Sequence, residues 1–369
     1  MKIPRQNLRI PGPIPCPSEV MDALTYPMIN HRGPEFQELL LSITERLKKV
    51  FMTEHDLYIF TSSGTGALEA SLTNTLSPGD KVLAVITGSF GQRYADMAEA
   101  FGAEVNRLEV EWGTAADPES VAAALDAEPE TNAVLVTHNE TSTGVTNDLE
   151  AISKKVKARP DRLLLVDAIS SLGCIPLPAD RWGCDVVAAG SQKGLLVPPG
   201  LSFITFSPLA WEAQKTATMP RYYFDVAAAQ RYFERGQTPY TPVESLFFGL
   251  DRALDILLDR GMEEIFSNHA YIANLTRQGI KGLGLQLLAD DSCVSNTVTA
   301  VRVPEGVDAQ ALISLLRTEH NVVVAGGLVK LQGKILRIGH MGIVEEEEVT
   351  GLMDALRASL PKVGFAVPA

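Results

Sequence analysis

Two short apolar runs, residues 163–166 and 185–189, constrain this chain more than any other feature. The first, Leu163-Leu164-Leu165-Val166, ends on a single acid, Asp167. The second runs into Gly190-Ser191-Gln192-Lys193-Gly194. Runs of this length without polar alternation read as strands buried on both faces, neighbours in the mostly parallel central sheet of an α/β protein. Their ends then face one crevice, where open α/β sheets bind ligands. A carboxylate at one strand end and an amine in a Gly-flanked turn after the next suit pyridoxal phosphate (PLP). The amine binds the cofactor's aldehyde, and the carboxylate holds the pyridine nitrogen protonated so that the ring takes up carbanion charge. The plainer alternative is a helix cap at Asp167 and a solvated loop residue at Lys193.

The chain has 369 residues, 46% hydrophobic and 21% charged, enough for two domains around a large core. A formal charge of −13 argues against nucleic acid or an anionic membrane as partner, but not against a small anionic cofactor held by local donors. The four cysteines (Cys16, Cys174, Cys184, Cys293) form no CxxC pair and no HExxH occurs, so no metal site is expected and a reduced, cytoplasmic protein is. No apolar run approaches the ~18 residues of a membrane span, and the first 17 residues lack a signal-peptide core.

Residues 1–17 are too Pro-rich for a helix and read as an extended arm; Ser18 is expected to cap a helix carrying Glu19 and Val20. A helix over 36–52 puts Leu39, Leu40, Ile43, Leu47 and Val50 on one face. Near residue 58 a strand leads through Ser62-Ser63-Gly64-Thr65-Gly66 into a helix, whose first-turn N–H groups and dipole favour a phosphate. A dinucleotide fingerprint is the competing reading, but Glu69 stands where its third small residue belongs. Strands at 81–86, 104–110 and 133–137 continue the alternation, and Gly88-Ser89-Phe90 and the polar cluster His138 to Val145 follow two of these strand ends. A helix over 243–260, closed by Gly261, leads to a shorter α+β region with strands at 297–303 and 335–338 and helices at 265–281, 309–318 and 345–356. The segment 325–330 reads as a loop, and the run of four glutamates from Glu345 as the solvated start of a helix. Arg337, flanked by apolar residues in a strand, calls for a carboxylate partner, either structural or a ligand's. The chain therefore divides into an arm (1–17), a large domain (18–250) and a small domain (251–369).

Leu165-Val166-Asp167-Ala168, Gly190-Ser191-Gln192-Lys193 and Val197-Pro198-Pro199-Gly200 together resemble the class V aminotransferases of fold type I, nearest to the alanine/serine–glyoxylate branch. The resemblance extends from Pro11-Gly12-Pro13 to Arg337-Ile338-Gly339. It implies a PLP-dependent homodimer that transfers an amino group from alanine or serine to glyoxylate or a related 2-oxo acid. By the same resemblance, Lys193 and Asp167 are catalytic, and Ser63, Gly64, Thr65, Phe90, Thr141 and Gln192 also bind the cofactor. Phe90 would stack on the ring and Thr141 would sit near its hydroxyl. Thr238 and Thr241 would reach the partner's phosphate. Arg337 would take the substrate α-carboxylate and Gly12 would touch the substrate. His138 is a general base by residue type only, a role that Lys193 fills; whether the arm-side residues His31 and Arg32 take part in specificity is left open. An aminotransferase of other specificity, such as aspartate, is the main alternative. A desulfurase needs a mobile loop cysteine that 325–330 lacks, and a non-enzymatic nucleotide-binding module would leave Lys193 dispensable.

Overall fold

Leu164 and Val166 point to one side of their strand, Leu163 and Leu165 to the other, and both sides are buried. The same alternation holds in the neighbouring strands: Leu83 and Val85 pack with the first pair, Val82 and Ala84 with the second. Successive side chains of a strand face opposite ways, so a run apolar at every position can only lie between two apolar layers.

The computed structural model describes residues 6–368. In chain order the strands are β1 (Asn7–Arg9), β2 (Asp56–Ser62), β3 (Lys81–Ile86), β4 (Glu104–Glu109), β5 (Ala133–Thr137), β6 (Asn139–Glu140) and β7 (Val145–Thr146). After them come β8 (Leu163–Asp167), β9 (Val186–Gly190), β10 (Gly200–Phe206), β11 (Val298–Arg302), β12 (Val322–Gly326) and β13 (Ile335–Gly339). Seven form the main sheet in the order β2-β10-β9-β8-β5-β3-β4, parallel except for β10, which runs against both its neighbours. The two runs singled out from the sequence are indeed adjacent, with Asp167 of β8 opposite Ala188 of β9. A second sheet, β1-β12-β13-β11, packs with the helices Ala309–His320 and Glu346–Ser359 around its own apolar cluster. The helix Glu244–Arg260 leads towards it, burying Leu246, Leu250, Leu254 and Leu257.

Four local expectations are corrected. The arm is extended, but Asn7, Leu8 and Arg9 pair in parallel with Val322, Val323 and Val324, so it belongs to the second sheet; residues 1–5 of it lie outside the described residues. Pro17 takes the N-cap position and Ser18 begins the helix Ser18–Ala23, its hydroxyl donating to Glu19 rather than accepting a first-turn N–H as a cap would. The ring of Pro17 already fixes the entry φ, which moves the boundary back by one residue. Residues 325 and 326 are not loop: β12 continues through Gly326, where the ladder to β13 satisfies its backbone. Finally, Glu348 is not merely solvated. It closes a capping box with Glu345 and accepts from the guanidinium of the buried Arg9 at 3.1 Å, joining the arm to that helix.

Candidate active site

At the carboxyl ends of β8 and β9 lies a cavity of about 330 Å³, within the roughly 300–1,000 Å³ common for small-molecule sites. Nine of the residues expected to bind cofactor or substrate line it: Gly12, Ser63, Gly64, Thr65, Phe90, Thr141, Asp167, Gln192 and Lys193. They arrive from six separate parts of the chain, and each is placed by a strand end or the segment after it.

Asp167 closes β8 and is buried. One carboxyl oxygen accepts the N–H of Ile169 at 2.9 Å, and among the described residues the other has no hydrogen-bond partner. Burial pushes this carboxyl up to about 7, with Glu140 adding to the rise and the Ile169 N–H, Lys193 and Arg93 opposing it. Lys193 sits in the turn after β9, and its ammonium group donates to the carbonyl oxygen of Pro11 on the arm. Burial brings this amine down to about 8; Asp167 opposes the fall and Arg337 adds to it. The two groups thus weaken each other's departure from ordinary values without forming an ion pair among the described residues.

The helix Gly64–Thr73 opens on the cavity. Its N-cap residue, Ser63, is extended and makes no side-chain cap, so the helix end presents unspent backbone donors. Gln192 adds an amide whose oxygen is buried without a partner. Phe90 stands in the first turn of the helix Ser89–Ala100, with the guanidinium of Arg93 4.9 Å from its ring centre.

PLP is tested against these groups directly. A phosphate needs several donors, a protonated pyridine nitrogen needs a buried carboxylate, an aldehyde needs an amine, and a flat ring needs an apolar face. The uncapped helix end supplies the donors, the half-used Asp167 the carboxylate, Lys193 the amine and Phe90 the apolar face; the unpartnered Gln192 oxygen is an acceptor and leaves only that residue's NH2 to a phosphate. The residues present fit the cofactor.

Three expected residues lie elsewhere. Arg337 is buried in β13, and its guanidinium donates to the carbonyl oxygens of Gly326 at 2.8 Å and Thr141 at 3.4 Å. No carboxylate forms a salt bridge with it among the described residues, which leaves a ligand's carboxylate as the expected partner. Thr238 donates to the carbonyl of Tyr240, and with Thr241 it lines a narrow hollow apart from the cavity. Arg32 holds that segment, donating to the carbonyls of Thr238 (2.6 Å) and Pro239 (3.3 Å). His138 points away from the cavity and meets Trp182 edge to face; burial lowers it to about 4, so it is neutral at neutral pH.

Sequence reading missed Asn139, Ser170 and Arg93, all of which line the cavity. Arg93 follows Phe90 by three residues, a spacing that shares a helix face and was the available signal. Asn139 had none: its amide donates to Ser170 and Thr297 and accepts from Thr146 and Ser295, partners as far as 158 residues away.

The chain is similar to known proteins along nearly its whole length. The sequence profile of the class V aminotransferases matches residues 19–360. A Synechococcus protein named soluble hydrogenase, small subunit, is 42% identical over 97% of this chain and 94% of its own length. The serine–glyoxylate aminotransferase of Methylorubrum extorquens is 40% identical over 98% of this chain and 93% of its own. Among solved structures, the alanine–glyoxylate aminotransferase of Nostoc sp. superposes with a TM-score of 0.94 at 32% identity, covering 98% of this chain and 96% of that one.

Proposed function

The chain belongs to the class V aminotransferases, PLP-dependent transaminases of fold type I, and from that premise we propose that it transfers the amino group of a small amino acid, alanine or serine, to glyoxylate. The observation that carries the reading is the pair Asp167 and Lys193, facing one cavity from the ends of adjacent parallel strands.

Bound PLP supplies an aldehyde that takes up the donor's amino group and a protonated ring that accepts the electron pair left when Cα loses its proton. Ser63, Gly64, Thr65 and Gln192 hold the phosphate, and Phe90 covers a face of the ring. Asp167 would stay ionised against the ring nitrogen, because a cation beside it opposes the desolvation that raises it. Lys193, whose amine burial lowers to about 8, would remove the proton at Cα and return it to the former aldehyde carbon, two atoms along. Arg337 takes the substrate carboxylate with the guanidinium edge not committed to Gly326 and Thr141. The arm covers the cavity at Gly12 and keeps water from the buried amine of Lys193.

Thr238 and Thr241 complete the partner's phosphate site in a homodimer. In support, the neighbouring Tyr222 is 81% exposed and Tyr223 stacks on Tyr240 with ring centres 4.9 Å apart, an aromatic surface suited to a second copy of the chain.

Aspartate as donor is the second reading. It is favoured by Arg93, which lines the cavity, lies over the Phe90 ring and forms no salt bridge among the described residues. The test is the visible spectrum of purified protein with PLP, before and after alanine, serine or aspartate. The true donor bleaches the cofactor band, and glyoxylate restores it better than pyruvate, 2-oxoglutarate or oxaloacetate. Absence of a cofactor band overturns the assignment of this site, and bleaching by aspartate alone selects the second reading.

A further inference from the structure

Glu140 is completely buried and forms no salt bridge among the described residues, although Arg337 lies near enough to interact with its charge; burial raises its pKa and its hydrogen bonds oppose the rise. A carboxylate in such a place relies chiefly on hydrogen bonds to stay ionised. Here there are four. One oxygen accepts the N–H groups of Phe90 at 2.9 Å and Gly91 at 3.1 Å. The other accepts the N–H of Ser142 at 2.9 Å and its hydroxyl at 2.6 Å. The Ser142 hydroxyl oxygen in turn accepts the N–H of Ser89 at 2.9 Å.

Three successive donors of the helix Ser89–Ala100, those of Ser89, Phe90 and Gly91, are therefore capped from another part of the chain. The residue in the N-cap position, Gly88, has no side chain with which to do it. The room for Glu140 exists because that residue is glycine: a Cβ on Gly88 would lie 2.4 Å from the Glu140 Cγ. The two segments joined in this way each supply a wall of the cavity, one through Phe90 and the other through Thr141, whose carbonyl also receives Arg337. Glu140 itself does not line the cavity.

We propose that Glu140 is a positioning residue for the transamination site, fixing the Phe90 ring and Thr141 relative to bound PLP through the capped turn. This rests on the PLP-binding reading of the cavity. The carboxylate matters because both of its oxygens must accept. A glutamine offers one accepting oxygen, and its NH2 would confront either the Phe90 and Gly91 N–H groups or the Ser142 N–H. A shorter acid, Glu140→Asp, keeps both acceptors but cannot span the two segments without drawing them together.

The test compares wild type, Glu140→Gln, Glu140→Asp and Ser142→Ala, each purified and titrated with PLP. Three quantities are followed: the Kd for PLP, the circular dichroism of the cofactor band per bound PLP, and the melting temperature with and without PLP. The expected result for Glu140→Gln is a Kd raised about tenfold, an altered cofactor dichroism, and a smaller rise in melting temperature on adding PLP. Glu140→Asp and Ser142→Ala should move all three in the same direction but less. A residue of structural importance only would lower the melting temperature equally with and without PLP and leave Kd and dichroism at wild-type values; that result overturns the proposal. If Glu140→Gln does not fold, unchanged dichroism and Kd in both other variants overturn it equally. Failure of the wild type itself to bind PLP would instead remove the functional reading on which the proposal stands.

Discussion

Gly12 and Lys193 are packed so closely that a Cβ on Gly12 would lie 2.7 Å from the lysine Nζ. Gly12 also has φ +113, a conformation that side chains rarely adopt. The arm is thus shaped to lie against the amine, and its attachment to β12 holds it there. Gly12→Ala should displace the arm or the amine. We expect PLP incorporation into the apo protein slowed at least tenfold, with little change in far-UV circular dichroism. Incorporation at the wild-type rate would show that the arm moves freely.

The lowered pKa of Lys193 sets a pH dependence. Only the neutral amine attacks an aldehyde, so capture of PLP by apo protein should speed up as pH rises through about 8, not through the 10.5 of an ordinary lysine. A lysine whose folded pKa is depressed contributes stability above its unfolded pKa and loses it as pH falls through the folded one. Lys193→Met should therefore raise the apo melting temperature most at pH 7, and the gain should vanish towards pH 10.5. Stopped-flow capture and thermal melts across pH 6–11 check both statements. Borohydride reduction and peptide mapping should place the pyridoxyl group on Lys193 and no other lysine.

Arg337 offers an unspent guanidinium edge while two carbonyls hold the rest of it. Arg337→Ala should lower kcat/KM for every α-amino acid alike, by ~10- to 100-fold, as expected for losing a charged hydrogen-bonded pair of about 1.5–3 kcal/mol. Arg337→Lys should recover little, since a single ammonium cannot replace the fork. A folded variant with wild-type kcat/KM would make Arg337 a strut between β12, β13 and Thr141.

Mixed dimers test the shared site. With one chain carrying Lys193→Ala and the other Thr241→Ala, a site built from both chains leaves one site with both lesions and one with neither. That intact site should bind PLP with wild-type affinity. If hybrids instead show the Thr241 defect at the site whose Lys193 is intact, Thr241 acts within its own chain. Homodimeric Thr241→Ala should lose about 0.5–1.5 kcal/mol in PLP binding, one neutral hydrogen bond.

The sequence by itself determined the main sheet and the position of its chemistry. Continuous apolar runs mark strands buried on both faces, and a single polar residue at the end of such a run must lie at the sheet's edge, which put Asp167 and Lys193 in one crevice. The small-residue turn before the helix Gly64–Thr73 was legible for the same reason: local backbone chemistry writes itself in adjacent residues. What each polar group meets through space was decided by the tertiary structure. Arg337 found the carbonyls of Gly326 and Thr141, Glu348 found Arg9 across 339 residues, and Glu140 found the backbone of a helix 49 residues away. The arm's pairing with β12 likewise joins segments more than 300 residues apart. Periodicity reports which side of an element is buried but not what is buried against it. A hydrogen bond depends on direction and on distances of a few tenths of an ångström, which only the packed chain fixes.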